Sequence, residues 1–552
     1  SGTSGLSGTS GLSGTSGLSG TSGLSGTSGL SGRSGLSGRS GSGGPMDVPA
    51  VIGGATVATA DRIVSTDPAQ PSAVVATSAS CGSSEADEAV ASCLARWGRW
   101  RDSPVAARAA VLFGAAEWMR ARRPELAALE VYEAGKPWAE ADADVCEAID
   151  FCEYYGRQMG ALGPPGPAPA SGPASGGRGV GMGVQSPPGE VNSLHYQPRG
   201  VAAVIAPWNF PLAIAAGMVS AALVAGNAVC FKPAEQTPAI GAKLVEALAA
   251  GGLPAGVLAF LPGRGEEVGA RLVAHPDVAL IAFTGSKAVG LAINEAASRV
   301  VPGQRHVKRV IAEMGGKNAL IVDGDADIDQ AVPIILGSAF GFSGQKCSAL
   351  SRLIVVRDVY DELVSRLVGA ARVLKIGHPV SMGTDIGPLI DAEAQEKVAG
   401  YLPVARQEGT IVLQREDVPD EGWFVGPTIV SDVDPRGRLA NEEIFGPVLS
   451  VFPVDDLDEA LRLANATDYA LTAGVLSRSP ATIHRASAEL RAGNVYVNRG
   501  ITGAVVGRQP FGGLGLSGVG SKAGGPDYLF QFLEPRVVSE NTLRQGFAAT
   551  AE

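Results

Sequence analysis

Between residues 201 and 283 the chain repeats one pattern. Short, unbroken apolar runs at 201–205, 228–231, 257–261 and 279–283 are separated by helix-length segments at 212–224, 240–250 and 266–274. A strand without polar alternation is buried on both faces, and strands that alternate with helices build βαβ units around a parallel sheet. An apolar run at 319–322 and a helix at 326–339 follow, and a second α/β alternation runs from residue 353, with a strand at 353–356, to about residue 490. Upstream, the pattern predicts a strand within 48–57 and helices over about 84–101 and 105–132. The second of these carries Val111, Leu112, Ala115, Trp118 and Met119 on one face and stops at Gly135-Lys136-Pro137. A further helix over 142–159 sets Val145, Ile149, Cys152 and Met159 on one side and Glu147, Phe151 and Tyr154 on another. A last strand signal lies at 535–539.

Two segments stand outside this pattern. Residues 1–45 are a tandem Ser-Gly-Thr-Ser-Gly-Leu repeat drifting to Ser-Gly-Arg-Ser-Gly-Leu. So much glycine and so little apolar surface cannot offset the entropy of ordering, which gives a flexible tail or linker; a six-residue β-helix repeat is the alternative. Residues 160–189, rich in Gly, Pro and Ala, read as a surface excursion.

Composition narrows the function. A chain of 552 residues, 45% hydrophobic and 18% charged, has room for two or three cores. A net charge of −11 argues against nucleic acid or an anionic membrane as partner and favours a small-molecule substrate. The 6 cysteines form no C-x-x-C pair and the 5 histidines no ligand cluster, which predicts a reducing compartment and no metal. No apolar run approaches the roughly 18 residues of a membrane span, and the beginning of the chain lacks the apolar core of a secretory signal, so cytoplasm is the expectation.

Parallel sheets bind ligands beyond the carboxyl ends of their strands. There the chain carries Pro207-Trp208-Asn209-Phe210-Pro211, Lys232-Pro233-Ala234-Glu235, Pro262-Gly263-Arg264-Gly265 and Thr284-Gly285-Ser286. Together they offer a cation, an acid, glycines and a hydroxyl where a nucleotide would lie. Gly263, Gly265 and Gly269 do not have the spacing of the G-x-G-x-x-G dinucleotide fingerprint. Further on, Phe340-Gly341-Phe342-Ser343-Gly344-Gln345-Lys346-Cys347-Ser348 places one cysteine after glycines and a lysine. A flanking cation and an exposed turn would favour the nucleophilic thiolate, which makes Cys347 the candidate nucleophile.

Read together, Pro-Trp-Asn-Phe-Pro at 207–211, Lys-Pro-Ala-Glu at 232–235, Phe-Thr-Gly-Ser at 283–286, Glu-Met-Gly-Gly-Lys at 313–317, Gly-Gln-Lys-Cys at 344–347 and Glu-Ile-Phe-Gly-Pro at 443–447 resemble the aldehyde dehydrogenase superfamily from Met46 onward. The stretches around Cys347 and at 501–513 are similar to its L-glutamate γ-semialdehyde dehydrogenase branch. The resemblance implies a Rossmann-type parallel-sheet NAD domain over 46–310, an α/β catalytic domain over 311–500, and a substrate anchor loop with a C-terminal flap over 501–552. A segment near 190–197 would complete the flap and pair subunits into a homo-oligomer, a dimer or larger. The tail at 1–45 and the excursion at 160–189 have no counterpart in the family pattern.

The implied activity is NAD-dependent oxidation of L-glutamate γ-semialdehyde, from 1-pyrroline-5-carboxylate, to L-glutamate in proline breakdown. Cys347 would add to the aldehyde, Asn209 and the Cys347 backbone N–H would hold the oxyanion, hydride would pass to the nicotinamide, and Glu313 would activate water against the thioester. Family resemblance puts Lys232 and Glu235 on the adenosine ribose, Ser286 near the pyrophosphate, Glu443 on the nicotinamide ribose and Phe445 beside the ring. Pro207, Trp208, Gly265, Gly269 and Gly285 complete the cofactor set. An acid on the ribose would repel a 2′-phosphate, favouring NAD over NADP. Ser348 with the backbone of Gly503 and Ala504 falls to the substrate carboxylate, Phe210 and Phe511 to its aliphatic stem, and Glu147 to its ammonium group. Alternatives are another small aldehyde as substrate, or a module that works with a flavin-dependent proline dehydrogenase.

Overall fold

The computed structural model describes residues 44–162 and 184–543. The repeat at 1–43 and most of the Pro/Gly excursion lie outside them. Two large sheets organise the chain.

The first sheet runs in the order Gly518–Val519, Arg309–Glu313, Val278–Thr284, Val201–Ile205, Ala228–Lys232, Leu258–Phe260, Ala50–Ile52, Ala55–Val57. The five strands from Arg309–Glu313 to Leu258–Phe260 are mutually parallel, and the outer strands pair antiparallel. The chain steps outward from Val201–Ile205 through the next two strands, then returns to the other side of it with Val278–Thr284. This reversal opens a crevice between the carboxyl ends of those two strands. Strand Val201–Ile205 is buried at every position, as its unbroken apolar sequence requires.

The second sheet, ordered Thr410–Gln414, Thr428–Ser431, Val448–Val454, Leu350–Val356, Asn318–Val322, Thr472–Leu476, Asn494–Val497, is parallel apart from its first strand. Alternate residues of Asn318–Val322 enter different cores: Ala319 and Ile321 pack with Phe452 and Leu461, whereas Leu320 and Val322 pack with Ile335 and Leu363. Both faces are covered. The linker 314–317 carries the chain from the carboxyl end of one sheet into the amino end of the other.

Several expectations are refined. The boundary placed after residue 310 falls inside strand Arg309–Glu313, and the short strand Gly518–Val519 returns to the first sheet. The helix expected over 105–132 is two, Val105–Ala121 and Arg123–Glu133, because Pro124 cannot continue the first and instead occupies the opening turn of the second. The segment 266–274 begins as a π-helical turn, Gly265–Gly269, before Ala270–Ala274. A hairpin of Asp61–Asp67 and Gln70–Ser80 had no apolar alternation strong enough to announce it. The strand signal at 535–539 belongs to Leu533–Asn541, which pairs antiparallel with Glu190–Pro198 as a separate ribbon.

Candidate active site

Cys347 stands at the amino end of the second sheet, just before Leu350–Val356. Its loop is built by strain and buried polar ties. Phe342, Ser343 and Gly344 take positive φ angles of 52°, 55° and 72° in succession, a sequence that costs on the order of 1–3 kcal/mol at each non-glycine position. What holds it is a set of buried hydrogen bonds. Ser343 Oγ donates to Gly387 O at 2.8 Å, Gln345 Nε2 to Pro388 O at 3.1 Å, and Ile390 N to Gln345 Oε1 at 2.9 Å. Asn318 Nδ2 donates to Cys347 O at 2.7 Å. The turn expected to be exposed is therefore buried at Phe342, Ser343, Gly344 and Gln345.

Lys346 does not play the part its sequence position suggested. Its ammonium is turned away to Glu140 Oε1, 2.5 Å off, on the helix Trp138–Leu162. The Cys347 thiol is instead pushed up to about 12, first by burial and then by the carboxylates of Glu443 and Glu313, with the Ser348 and Cys347 N–H groups opposing. Lys346 pins the loop; it does not activate the sulfur.

A cavity of about 320 Å³ is lined by Cys347 together with Pro207, Trp208, Asn209, Gly285, Ser286, Glu443 and Phe445. Asn209 Nδ2 donates to Gln345 O at 3.0 Å, which engages one of its two amide hydrogens and leaves the other for a second acceptor. Phe445 sits at φ 63° with its ring edge-on to Trp208, centroids 5.6 Å apart. Glu443 Oε1 accepts from Gly316 N at 2.8 Å, and burial raises its pKa above the usual carboxylate range. Gln236, Asp391, Glu393 and Lys397 also line this cavity, and no motif marked them in the sequence.

A second cavity of about 650 Å³ shares Pro207, Trp208, Gln236, Thr284, Gly285 and Ser286 with the first, so the two adjoin at the crevice of the first sheet. It adds Lys232, Glu235, Gly265 and Gly269. Glu235 Oε1 accepts from Lys232 Nζ at 2.8 Å and from Gly265 N at 2.6 Å. Ser286 Oγ caps the helix Lys287–Ser298 by accepting from Val289 N at 3.3 Å. Val289, Ile293 and Ala296 give the cavity an apolar wall.

Glu313 lines neither cavity, though Met314 and Gly315 beside it line the first. Its carboxylate accepts from Gly513 N at 3.1 Å, and burial pushes its pKa up to about 8 against that hydrogen bond and the charge of Lys522. The expected substrate residues are more scattered. Ser348 is buried beside Cys347, with its carbonyl accepting from Thr472 Oγ1 at 3.4 Å. Gly503, at φ 72°, faces open space and Ala504 follows it, while Phe511 is tied through its backbone to Ala523. Phe210 lies over an ammonium that sequence reasoning missed, Lys136 Nζ, at 4.3 Å from the ring centroid. Lys136 is fully buried between Asp144 Oδ2 at 2.5 Å and Glu130 Oε2 at 3.2 Å. Glu147 shares this charge cluster: burial first, then Asp144, push it to about 8, with Lys136 opposing.

The aldehyde dehydrogenase family pattern matches residues 56–538. The chain belongs to the aldehyde dehydrogenase family. Among its aldehyde dehydrogenase relatives, the 1-pyrroline-5-carboxylate dehydrogenase of Geobacillus kaustophilus is 49% identical over 90% of this chain and 93% of its own length. The structure of Thermus 1-pyrroline-5-carboxylate dehydrogenase with bound NAD superposes with a TM-score of 0.85 at 46% identity, covering 90% of this chain and 93% of that one. Proline utilization A from Bdellovibrio bacteriovorus superposes with a TM-score of 0.86 at 48% identity; it covers 92% of this chain, which spans 51% of that longer protein. Among the described residues of this family member, no helix is long and apolar enough to cross a membrane.

Proposed function

We propose that this chain catalyses the NAD-dependent oxidation of L-glutamate γ-semialdehyde, formed from 1-pyrroline-5-carboxylate, to L-glutamate. The observation that carries the reading is the meeting of Cys347, Asn209 and Glu443 in a cavity that adjoins a nucleotide-sized one, in a chain 49% identical to a 1-pyrroline-5-carboxylate dehydrogenase. The second cavity fits NAD: a capped helix N-terminus for a pyrophosphate, a Lys232–Glu235 pair for ribose hydroxyls, and an apolar wall for a base. When bound there, NAD accepts the hydride.

The chain's own residues do the rest. The Cys347 thiol gives its proton to water as its sulfur bonds to the aldehyde carbon, the carbonyl electron pair moves to oxygen, and the free amide hydrogen of Asn209 and a backbone N–H hold that oxyanion. After oxidation the acyl group remains on Cys347 as a thioester. Glu313 takes a proton from water, the water oxygen bonds to the carbonyl carbon, and the C–S bond breaks with its electron pair on sulfur. Ser348 and the Gly503-Ala504 backbone receive the substrate α-carboxylate, Phe210 and Phe511 its stem, and Glu147 its ammonium group. Purified protein given pyrroline-5-carboxylate and NAD is expected to form NADH, and Cys347→Ala to form none. Faster turnover of succinate semialdehyde than of glutamate semialdehyde would overturn the substrate assignment.

Likeness to proline utilization A supports a second reading, in which this chain works with a flavin-dependent proline dehydrogenase, and the ribbon of Glu190–Pro198 and Leu533–Asn541 joins copies into a dimer or larger assembly. The lag before NADH appears, when proline is supplied with such a partner, tests channelling; light scattering tests assembly. The 6 free cysteines support a reducing compartment, for which we assign the cytoplasm.

A further inference from the structure

The loop that follows the substrate segment carries a lysine whose position the reaction above leaves unexplained. Lys522 Nζ donates to Gly512 O at 2.5 Å, and the next amide, Gly513 N, donates to Glu313 Oε2 at 3.1 Å. One ammonium thus grips one side of the peptide whose other end holds the carboxylate. Room for both is made by missing side chains: a Cβ on Gly512 would lie 2.8 Å from Glu313 Oε1, and one on Gly493 would lie 2.9 Å from Lys522 Nζ. The backbone beside Lys522 is fixed as well, because Phe511 and Ala523 exchange hydrogen bonds of 2.9 and 2.8 Å.

We infer that Lys522 is a positioning residue for Glu313, one that fixes the Gly512-Gly513 backbone and, among the described residues, supplies the positive charge set against the buried carboxylate. The inference rests on Glu313 being the base of thioester hydrolysis. Burial raises Glu313, while Gly513 and Lys522 oppose that rise; burial lowers Lys522, while Glu313 opposes that fall. Among the described residues, the other titratable groups that feel Glu313 are the Cys347 thiol and the Tyr528 phenol, and neither is cationic. Removing the lysine charge therefore shifts the carboxylate toward its protonated form, in which it cannot take a proton from water. The sulfur's addition to the carbonyl precedes this step and does not call on Lys522.

The test separates the two half-reactions. p-Nitrophenyl acetate acylates a reactive thiol without any nicotinamide, so its burst reads acylation and its steady rate reads hydrolysis. Lys522→Gln, which can still donate to Gly512 O but is neutral, is expected to keep the burst amplitude and to move the pH midpoint of the steady rate up by about one unit. Lys522→Met, which loses both functions, is expected to lower the steady rate about tenfold near pH 8 as well. Lys522→Arg is expected to restore the midpoint. A Lys522→Gln protein with parent thermal stability and NAD affinity but an unshifted midpoint would overturn the inference, and it decides the matter even if Lys522→Met does not fold. Glu313→Gln guards the premise: if it hydrolyses the ester at the parent rate, the assignment of the base has failed, whereas its inactivity beside an unshifted Lys522→Gln would refute the role of Lys522 alone.

Discussion

Replacing Lys136 by Met removes one cation from a site with no access to water. Lys136, Asp144 and Glu130 are each 0% exposed, with the ammonium 2.5 Å from one carboxylate and 3.2 Å from the other. Burial works against the charge of Lys136, yet Asp144 and Glu130 outweigh it and hold its pKa above the ordinary lysine range. Without the ammonium, two carboxylates are left facing each other in a dry interior. Breaking a buried pair in this way costs about 3–5 kcal/mol. Part of that is recovered by protonating Glu130, whose pKa burial already raises far above the usual carboxylate range. The loss is therefore smallest in mild acid and grows as pH rises. Lys136 Nζ also lies 4.3 Å from the Phe210 ring centroid and 5.4 Å from that of Phe342, so the variant loosens two rings next to the nucleophile loop. Asp144 Oδ1 accepts from Ala213 N at 2.7 Å, which carries the disturbance into the helix Ala213–Val224. Urea unfolding followed by tryptophan fluorescence at pH 6 and pH 8 measures the loss. An unchanged midpoint at pH 8, or a larger loss at pH 6 than at pH 8, would show that the Lys136 ammonium does not neutralise this cluster; a second change, Glu130→Gln, is expected to return part of the stability.

Other substitutions probe the site directly. Asn209→Ala removes the free amide hydrogen and is expected to lower kcat about 10²–10³-fold with little change in NAD affinity, as read by fluorescence titration. Where hydrolysis limits turnover, kcat is expected to rise through about pH 8, because Glu313 acts only when deprotonated and burial holds its pKa there; a profile flat from pH 7 to pH 9 would contradict this. Glu235→Gln takes a negative charge from the second cavity and is expected to improve NADP use relative to NAD about tenfold, measured as the ratio of kcat/KM values. Lys346→Met breaks the 2.5 Å tie to Glu140 and is expected to slow acylation by displacing the loop, while thiol titration with iodoacetamide finds no rise in the Cys347 pKa.

Elements buried on both sides could be read from the sequence because burial writes itself as an unbroken apolar run: 201–205 coincides with the strand Val201–Ile205. Elements stabilised by something else could not. Strands Asp61–Asp67 and Gln70–Ser80 are rich in Ser, Thr and Ala, and pair edge to edge without a strong apolar face. The break between Val105–Ala121 and Arg123–Glu133 was carried by Pro124 alone. At the site, Asn209, Lys232, Glu235 and Ser286, from motifs that follow strands, line the two cavities together with Cys347, Glu443 and Phe445, whose motifs precede strands. Charged groups whose meaning depends on distant partners were opaque. Lys136 reads as part of a helix stop, yet it is a buried hub; Lys346 reads as an activator of Cys347, yet it faces Glu140. Period and spacing report which face is buried, and say nothing of which acid a lysine will meet.

In the proposed reaction Cys347 carries the acyl group of L-glutamate γ-semialdehyde and Glu313 releases it. Intact-mass spectrometry of Glu313→Gln, mixed with pyrroline-5-carboxylate and NAD and quenched in acid, tests it most directly. One γ-glutamyl group is expected at Cys347, formed with one equivalent of NADH and absent from the Cys347→Ala, Glu313→Gln double variant. NADH formed without a covalent adduct, or an adduct on another residue, would contradict it.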